Sequence, residues 1–291
     1  MILPIFTSLY MLASLTDLSE ASSSGAYRGG DYRRDVLQYS GTTVIVNDFN
    51  RGSGVIKAKY FARNAYLQYS EWLQHSGKRV VYLCSGAFAD SFTAEAAPIG
   101  LCVDNGDIVS RSIHSEMDAL LVVYNGGAQV GGIVAVNLDY EAITVEGSNS
   151  YWPRDHGLDL FKFLDWSERN GATVFQTQWL YSTRYGYGSG VDPYSKSGKS
   201  AKRRMLAVCV SERGEVHHMI VEIERDEYLD RSAALAVDVI EQSYEYQIVA
   251  LVNLDRGAKD IMEAYNDYGV RIAQGSTQLS NATNLLVYYT D

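Results

Sequence analysis

The residues best suited to chemistry follow an apolar run near the C-terminal end of the chain. Residues 248–257 read IVALVNLDRG, so Asn253, Asp255 and Arg256 come together directly after the apolar residues. A buried strand explains the apolar run. The carboxylate of Asp255 can act as an acid, a base or a nucleophile, but Asp also forms turns and caps the segment that follows it. One wall of a functional site and a plain turn are both compatible with this pattern.

Histidines and acidic residues give little sign of a metal centre. His114, Glu116 and Asp118 are possible ligands within the segment IHSEMD, but a solvated loop is the favoured interpretation. His217 and His218 are adjacent on one predicted strand and therefore point to opposite faces. The sequence also lacks a P-loop, a GxGxxG segment between a strand and a helix, and a Gly-x-Ser-x-Gly elbow. We therefore expect no metal and no other cofactor.

The overall charge argues against nucleic acid as a partner. The 291 residues include 35 acidic and 25 basic side chains, for a formal net charge of −10. A general nucleic-acid-binding protein needs a basic face for the phosphates. A local basic pocket is nevertheless compatible with this balance.

Three cysteines, Cys84, Cys102 and Cys209, occur without a CxxC pair. This count and spacing do not favour a disulfide framework or a structural zinc site. Because Cys84 and Cys209 lie in apolar runs, we expect them to be small core residues.

The N-terminal residues 1–35 differ in character from the rest of the chain. Residues 1–24 combine an apolar stretch with small residues, as a signal peptide does, but they lack a basic start. The alternative is an arm that packs on the domain or on a protein partner. Residues 19–35 are polar and rich in Gly and Ser, which is typical of a flexible linker. The apolar stretch is too short and interrupted for an integral membrane span.

Residues 36–291 read as a single domain in which strands alternate with three helices. Helical spacing of apolar residues predicts helices over 64–77, 156–171 and 231–244. Strands are predicted over 42–48 and 54–62, which a short turn joins, and over 78–84, 119–125, 131–139, 173–182, 248–253 and 284–290. Hairpins are predicted over 98–109, around Asn105-Gly106, and over 204–224. Because hairpins dominate, the expected fold class is α+β with a largely antiparallel twisted sheet.

Three segments occur in an order that resembles the phosphodiester glycosidase domain. They are CSGAFADSFTAEAAPIGLCVDNGDIV (84–109), KRRMLAVCVSERGEV (202–216) and VNLDRGAKDIMEAY (252–265). The family's motifs look like Asn-Gly-Gly/Asp-Phe-Phe, Pro-x-Gly-Leu before a hairpin, Arg-Thr-Ala-x-Gly and Asn-Leu-Asp-Gly-Gly-Gly-Ser. The resemblance spans roughly residues 42 to 290. This family includes bacterial and viral members and the enzyme that removes N-acetylglucosamine from a phosphodiester to expose mannose 6-phosphate.

The first two motifs are matched to different degrees. Gly86 and Phe88 match the first motif, whereas Ser85 stands at the position of its Asn, and alanines replace its Gly/Asp and its second Phe. Gly100 lies in the second motif, which is matched in full.

The last two motifs are also matched in part. Arg204, or its neighbour Arg203, corresponds to the Arg of the third motif. The fourth motif is matched by Asn253, Leu254, Asp255 and Gly257. Its remaining Gly, Gly and Ser are replaced by Arg256, Ala258 and Lys259.

The resemblance implies a hydrolase that cleaves a sugar-phosphodiester link. Such a reaction needs a carboxylate near the sugar C1 atom and a cation or N–H donors for the phosphate. By this resemblance we expect the catalytic residues to be Asp255, Arg204 and Asn253. We expect the substrate-binding residues to be Ser85, Gly86, Phe88, Gly100 and Gly257. The expected ligand is a carbohydrate or a sugar phosphate.

The substituted motifs leave a second interpretation open. The chain could be a catalytically inactive relative that binds glycans or has a structural or assembly role, at a cell surface or in a viral particle. The N-terminal arm, as a possible contact for a protein partner, favours this interpretation. By resemblance, the location would be exported, periplasmic, at the cell surface or virion-associated.

Overall fold

The structure is a computed structural model that describes residues 25–91, 93, 96–124, 132–145, 149–154, 156–196, 198–256 and 260–291. Within these ranges the α-helices are α1 (Ala65–Ser76), α2 (Gly157–Arg169) and α3 (Leu229–Val239). A π-helical turn, Ile240–Tyr244, follows α3 directly. The strands, in chain order, are β1 (Tyr27–Arg28), β2 (Tyr32–Tyr39), β3 (Thr42–Asn50), β4 (Lys57–Phe61), β5 (Arg79–Cys84), β6 (Cys102–Asp104), β7 (Asp107–Ser110), β8 (Ala119–Tyr124), β9 (Gly132–Asn137), β10 (Ile143–Val145), β11 (Asn149–Tyr151), β12 (Thr173–Thr177), β13 (Trp179–Ser182), β14 (Gly186–Tyr187), β15 (Ala201–Val210), β16 (Val216–Glu227), β17 (Gln247–Leu254), β18 (Met262–Tyr265), β19 (Arg271–Gln274) and β20 (Leu285–Thr290).

Most of these strands belong to three antiparallel sheets. The first sheet has the order β1-β2-β3-β16-β15-β17-β13-β14, the second β7-β6-β12-β8-β9, and the third β19-β18-β5-β20-β4. The strands β10 and β11 pair with each other. The expected α+β class with largely antiparallel pairing is therefore confirmed, with the strands divided among several sheets.

The three sheets face one another across a common core. Aromatic rings join them in pairs. Phe49 of the first sheet stacks on Tyr288 of the third, with ring centroids 4.1 Å apart. Tyr60 of the third sheet stacks on Phe175 of the second at 4.3 Å. Aromatic side chains bury large apolar areas, so these contacts contribute strongly to holding the sheets together.

Each helix covers the outer face of one sheet. Helix α3 packs on the first sheet, α2 on the second and α1 on the third. The apolar spacing seen in the sequence supplies the contact faces, with Phe163 and Trp166 buried on α2. Since helices cover the outside and the core lies inside, β8 and β20 are buried along almost their whole length. This explains why they read as continuous apolar runs rather than alternating ones.

The predicted linker requires a correction. Within the predicted linker 19–35, residues 27–28 form β1 and residues 32–35 begin β2. Tyr32 is the physical reason, because its buried ring stacks on Phe49 at 5.1 Å and its hydroxyl donates to Asn47 Oδ1 at 3.0 Å. Residues 1–24 lie outside the described ranges, so the predicted arm stays a prediction.

Two predicted strand connections also differ from the structure. The predicted strands 42–48 and 54–62 are present as β3 and β4, but β3 lies in the first sheet and β4 in the third. The predicted strand 173–182 is divided at Gln178 into β12, in the second sheet, and β13, in the first. Apolar periodicity reports that a segment is buried but does not report which sheet it joins.

Two further expectations concern side-chain direction and membranes. His217 and His218 do face opposite sides of β16: Nδ1 of His217 lies 2.8 Å from Asp48 Oδ1, whereas Nδ1 of His218 lies 3.2 Å from the Tyr288 hydroxyl. In the described part of the chain, no helix is long and apolar enough to cross a membrane.

Candidate functional site

The segments 84–109, 202–216 and 252–265, hereafter the family-like segments, meet where β15 and β17 lie side by side. Arg204 of β15 is opposite Leu254 of β17 in the strand register. One residue later, the backbone N–H of Asp255 donates to the carbonyl oxygen of Gly86, with 2.9 Å between N and O. The loop after β5 is thereby held against the end of β17. Segments that are far apart in the chain therefore come together in space.

Arg204 lies inside the core. Its side chain is 0% exposed, and Nη2 lies 3.0 Å from Glu222 Oε2 and 2.7 Å from Asp260 Oδ1. Its Nη1 donates to the carbonyl oxygen of Ile261 at 3.1 Å. Burial would raise the pKa of Asp260, but the charges of Arg204 and Arg256 outweigh burial and hold this pKa below its usual value. Protein groups therefore engage both terminal nitrogens of Arg204. Its expected catalytic role stays a prediction.

Asn253 connects the end of β17 to the junction between β12 and β13. Its Nδ2 donates to Gln178 Oε1 at 2.9 Å, and its backbone N–H donates to the Gln178 carbonyl oxygen at 3.0 Å. The hydroxyl of Thr177 donates to the carbonyl oxygen of Asn253. The Asn253 side chain is buried, and its Oδ1 has no hydrogen-bond partner among the described residues. Asp255, by contrast, is partly exposed.

The loop after β5 is fixed by Asn284, which the sequence analysis did not identify. Oδ1 of Asn284 accepts hydrogen bonds from the N–H groups of Gly86 and Ala87 at 2.9 and 3.0 Å, and its Nδ2 donates to the Ala87 carbonyl oxygen at 2.9 Å. A Cβ atom on residue 86 would lie 2.7 Å from Cε2 of Tyr60, so glycine is needed there. Ser85 is buried as well. In the sequence, Asn284 is the polar residue at the start of the apolar strand NLLVYYT. A polar side chain that is buried with such a strand needs hydrogen-bond partners, and this was the available signal.

Close packing also requires a glycine at position 100. Its φ is +87°, and a Cβ atom there would collide with Oε1 of Gln176. That oxygen accepts hydrogen bonds from the N–H groups of Leu101 and His114, at 2.7 and 2.9 Å. Gly100 therefore lies against a buried amide network, and its predicted contact with substrate stays a prediction.

A cavity of about 210 Å³, hereafter the basic cavity, opens beside the meeting segments. Phe88 and Leu254 line it, and both belong to family-like segments. The other described lining residues are Ala201 and four cations, Lys199, Lys202, Arg203 and Arg256. No carboxylate is among the described lining residues, so the cavity favours an anion.

The cations of the basic cavity are only partly neutralised. Arg256 is 5% exposed, and its Nη2 lies 2.5 Å from Glu224 Oε1 and 3.2 Å from Asp260 Oδ2. Lys202 Nζ lies 2.9 Å from the other oxygen of Glu224. The Nε atoms of Arg203 and Arg256 are buried and have no hydrogen-bond partner in the described ranges. Burial lowers the pKa of Arg203, which reflects the cost of keeping that charge there.

Of the residues that replace Gly, Gly and Ser in the fourth motif, the structure describes Arg256 alone. Arg256 lines the basic cavity, and the ion pairs that the structure gives it run to Glu224 and Asp260. Gly257 and Lys259 lie outside the described residues.

A larger cavity, of about 340 Å³, lies at the junction of the first and second sheets. Glu116, Asp118 and Asp139 contribute carboxylates to its lining, together with Trp179. Asp118 Oδ1 accepts the backbone N–H of Trp179 at 2.7 Å, and burial raises the pKa of Asp118. Over the described residues, no three His, Cys, Asp or Glu side chains are grouped so that they could hold a metal ion.

No family model matches the chain, and no curated protein matches it. Among solved structures, the chain is similar to a crystal structure of a hypothetical protein from Synechocystis, with 11% sequence identity and a TM-score of 0.47. The similarity covers 89% of this chain and 62% of that chain, so this chain matches less than two thirds of the length of that protein.

Proposed function

We propose that this chain binds a sugar phosphodiester in the basic cavity and hydrolyses it in the manner of the phosphodiester glycosidases that it resembles. The observation that carries the proposal is that Phe88 and Leu254, from two family-like segments, line one cavity with four cations. A phosphodiester-glycosidase-like fold is part of the same proposal.

The half-buried Arg203 and the buried Arg256 are the main support for an anionic ligand. A buried N–H without a partner costs about 1–3 kcal/mol, and Arg203 and Arg256 each have one at Nε. Phosphate oxygens accept charge-assisted hydrogen bonds from Arg, which are among the stronger ones in proteins. The chain as a whole carries −10, so a local cluster of cations is a selective place for an anion.

Asp255 is the carboxylate that we assign to the reaction. Asp255 does not itself line the basic cavity, but it stands between Leu254 and Arg256, both of which do. In the proposed mechanism it acts at the sugar C1 atom, either as a base toward water or as a nucleophile. The phosphate leaving group is a weak base, so stabilisation of its charge by Arg203 and Arg256 matters more than proton donation.

Arg204 and Asn253 have positioning roles in this proposal. Arg204 pairs with Asp260, and Asp260 in turn holds Arg256 at the cavity. Asn253 anchors the end of β17 through Gln178. Both residues thereby fix the segment that carries Asp255.

A second candidate is a protein that binds the same ligand without cleaving it. Two observations favour it: Ser85 stands where the family motif has Asn, and the terminal nitrogens of Arg204 are engaged inside the core. A role at a cell surface or in a viral particle belongs to this candidate. A protein partner contacted through the N-terminal arm, residues 1–24, also belongs to it.

Hydrolysis of N-acetylglucosamine-phospho-mannose is the test of the first candidate. Wild-type protein is compared with Asp255→Asn and with Asp226→Asn, a matched control because Asp226 is exposed on β16. Removal of an acid–base or nucleophilic group lowers turnover by about 10²–10⁴-fold. We expect that loss in Asp255→Asn and unchanged turnover in Asp226→Asn.

Calorimetric binding of the same compound separates the two candidates. Lys199→Met removes a cation from the cavity lining, whereas Lys196→Met removes an exposed cation from the same loop. Binding that Lys199→Met weakens, without turnover by the wild type, would establish the second candidate. Neither binding nor turnover by folded wild-type protein would overturn both.

A further inference from the structure

A separate cavity of about 280 Å³ lies between β4, α1 and the turn of the β6–β7 hairpin. This volume is slightly below the range for drug-sized ligands, which begins at about 300 Å³, and so suits a smaller molecule. Its lining combines the carboxylates of Asp104 and Glu71 and the ammonium of Lys59 with the aromatic rings of Phe61 and Trp72. It shares no lining residue with the basic cavity, so a ligand bound here would be independent of the proposed function.

Asp104 contributes a buried carboxylate to the lining of this cavity. The residue is 4% exposed. Its Oδ2 accepts two long hydrogen bonds, from the Ala62 N–H at 3.3 Å and from Gln68 Nε2 at 3.4 Å. Its Oδ1 is buried and has no partner in the part of the chain that the structure describes. Burial raises the pKa of Asp104, against the opposing effects of these hydrogen bonds and of the backbone N–H and charge of Arg63.

Lys59 presents the opposite charge to the same space. Its Nζ lies over the ring of Phe61, 5.3 Å from the centroid. Among the described residues, no ion pair within 4 Å joins Lys59 to a carboxylate. Burial lowers the pKa of Lys59, and the charge of Asp104 works against that shift. The cavity therefore contains a carboxylate and an ammonium that do not neutralise each other by direct contact.

We propose that this cavity binds a small zwitterion of the α-amino acid class, with the ligand ammonium on Asp104 and the ligand carboxylate on Lys59. A simple amine would satisfy Asp104 but would be repelled by Lys59. A simple carboxylate would satisfy Lys59 but would face Asp104 and Glu71, which also lines the cavity. A ligand with both charges satisfies both groups, and the rings of Phe61 and Trp72 offer an apolar wall for its side chain.

Three probe compounds share an aromatic ring but differ in the charges that they carry. They are phenylalanine with both charges, phenethylamine with the ammonium alone and 3-phenylpropionate with the carboxylate alone. Each is titrated into the full chain by calorimetry. We expect phenylalanine to bind about tenfold more tightly than either singly charged compound, because each of those lacks one charge-assisted contact.

The variants assign each charge to its residue. Asp104→Asn is expected to weaken phenylalanine and phenethylamine about tenfold, and Lys59→Met to weaken phenylalanine and 3-phenylpropionate by a similar factor. Asp104→Asn keeps the shape of the side chain and removes a buried charge, so it is compatible with folding. The matched controls are Asp107→Asn, an exposed Asp on the same hairpin, and Lys196→Met. Both controls are expected to leave all three affinities unchanged.

Three results would overturn the proposal. Phenylalanine binding that neither Asp104→Asn nor Lys59→Met changes would place the ligand elsewhere. Equal affinities for phenylalanine and phenethylamine would mean that Lys59 contributes nothing. The third result is the absence of binding tighter than about 1 mM by folded wild-type protein, for alanine and tryptophan as well as phenylalanine.

Discussion

Arg204 and Glu222 form an ion pair inside the core. The two side chains are 0% and 1% exposed. Glu222 also accepts hydrogen bonds from Asn47 Nδ2 and from the Tyr82 hydroxyl, both at 3.2 Å. A buried ion pair of this kind adds little net stability compared with apolar side chains of similar volume, but loss of one partner leaves the other charge buried and unpaired.

We expect Arg204→Met to lower the free energy of unfolding by about 3–5 kcal/mol, because Glu222 loses the guanidinium group that it contacts in the core. Arg169→Met is the control. Arg169 forms an i,i+4 pair with Asp165 on α2 but is 66% exposed, so its loss should cost no more than about 0.5 kcal/mol. Urea unfolding of the three proteins measures both values. A loss below about 1 kcal/mol in Arg204→Met would contradict this dependence of Glu222 on Arg204.

The sequence predicts individual helices, strands and turns more securely than it predicts which sheet each strand joins. Helix α1 lies within the predicted range 64–77 and ends where Gly77 adopts the left-handed conformation, with φ +63°. The Asn105-Gly106 turn also forms the predicted hairpin. Local patterns report local conformation, whereas the passage from β12 to β13 across Gln178 depends on contacts with two different sheets. Asn284 and Gln176 were missed for the same reason, because their hydrogen bonds reach residues that are distant in the chain.

The loop that contains Gly100 is expected to be more sensitive to substitution than another loop with a left-handed glycine. Gly100 and Gly214 both have positive φ, at +87° and +77°, but only Gly100 has a neighbour that a Cβ atom would strike, the Gln176 amide. Both Gly→Ala changes should incur the strain of the left-handed region, about 1–2 kcal/mol. Gly100→Ala should cost about 1–3 kcal/mol more, because it displaces the amide that serves Leu101 and His114. Equal thermal destabilisation of the two variants would show that Gln176 moves away freely.

Across the molecule, stability depends on the contacts between sheets. His218 lies on β16 in the first sheet and contacts Tyr288 on β20 in the third, with Nδ1 3.2 Å from the hydroxyl. Burial, with the charges of Arg51 and His217, lowers the pKa of His218 well below its ordinary value of 6.5. The folded protein therefore keeps this imidazole neutral at the interface of two sheets. The sequence showed a histidine on a strand, but the sheet that it would contact was not predictable from it.

Acid should therefore destabilise the protein through His218. Below pH 6.5 the unfolded chain binds a proton that the folded chain does not, so the free energy of unfolding falls as pH decreases. The expected contribution of His218 is about 1.4 kcal/mol per pH unit. His218→Gln should remove this slope between pH 6.5 and about pH 5, whereas the exposed His75→Gln should retain it. Urea unfolding across that interval is the measurement, and parallel curves for wild type and His218→Gln would exclude this origin.

The three cysteines are distributed one to each large sheet: Cys84 in the third, Cys102 in the second and Cys209 in the first. All three are buried free thiols, and burial raises the pKa of Cys84 and of Cys102 to about 12. Because the thiolate is the reactive form, an alkylating reagent has almost nothing to react with until a sheet opens. The order in which the three sulfurs become labelled would then record the order in which the sheets separate, without a dye or an engineered residue. The three native cysteines would therefore report the opening of each sheet separately.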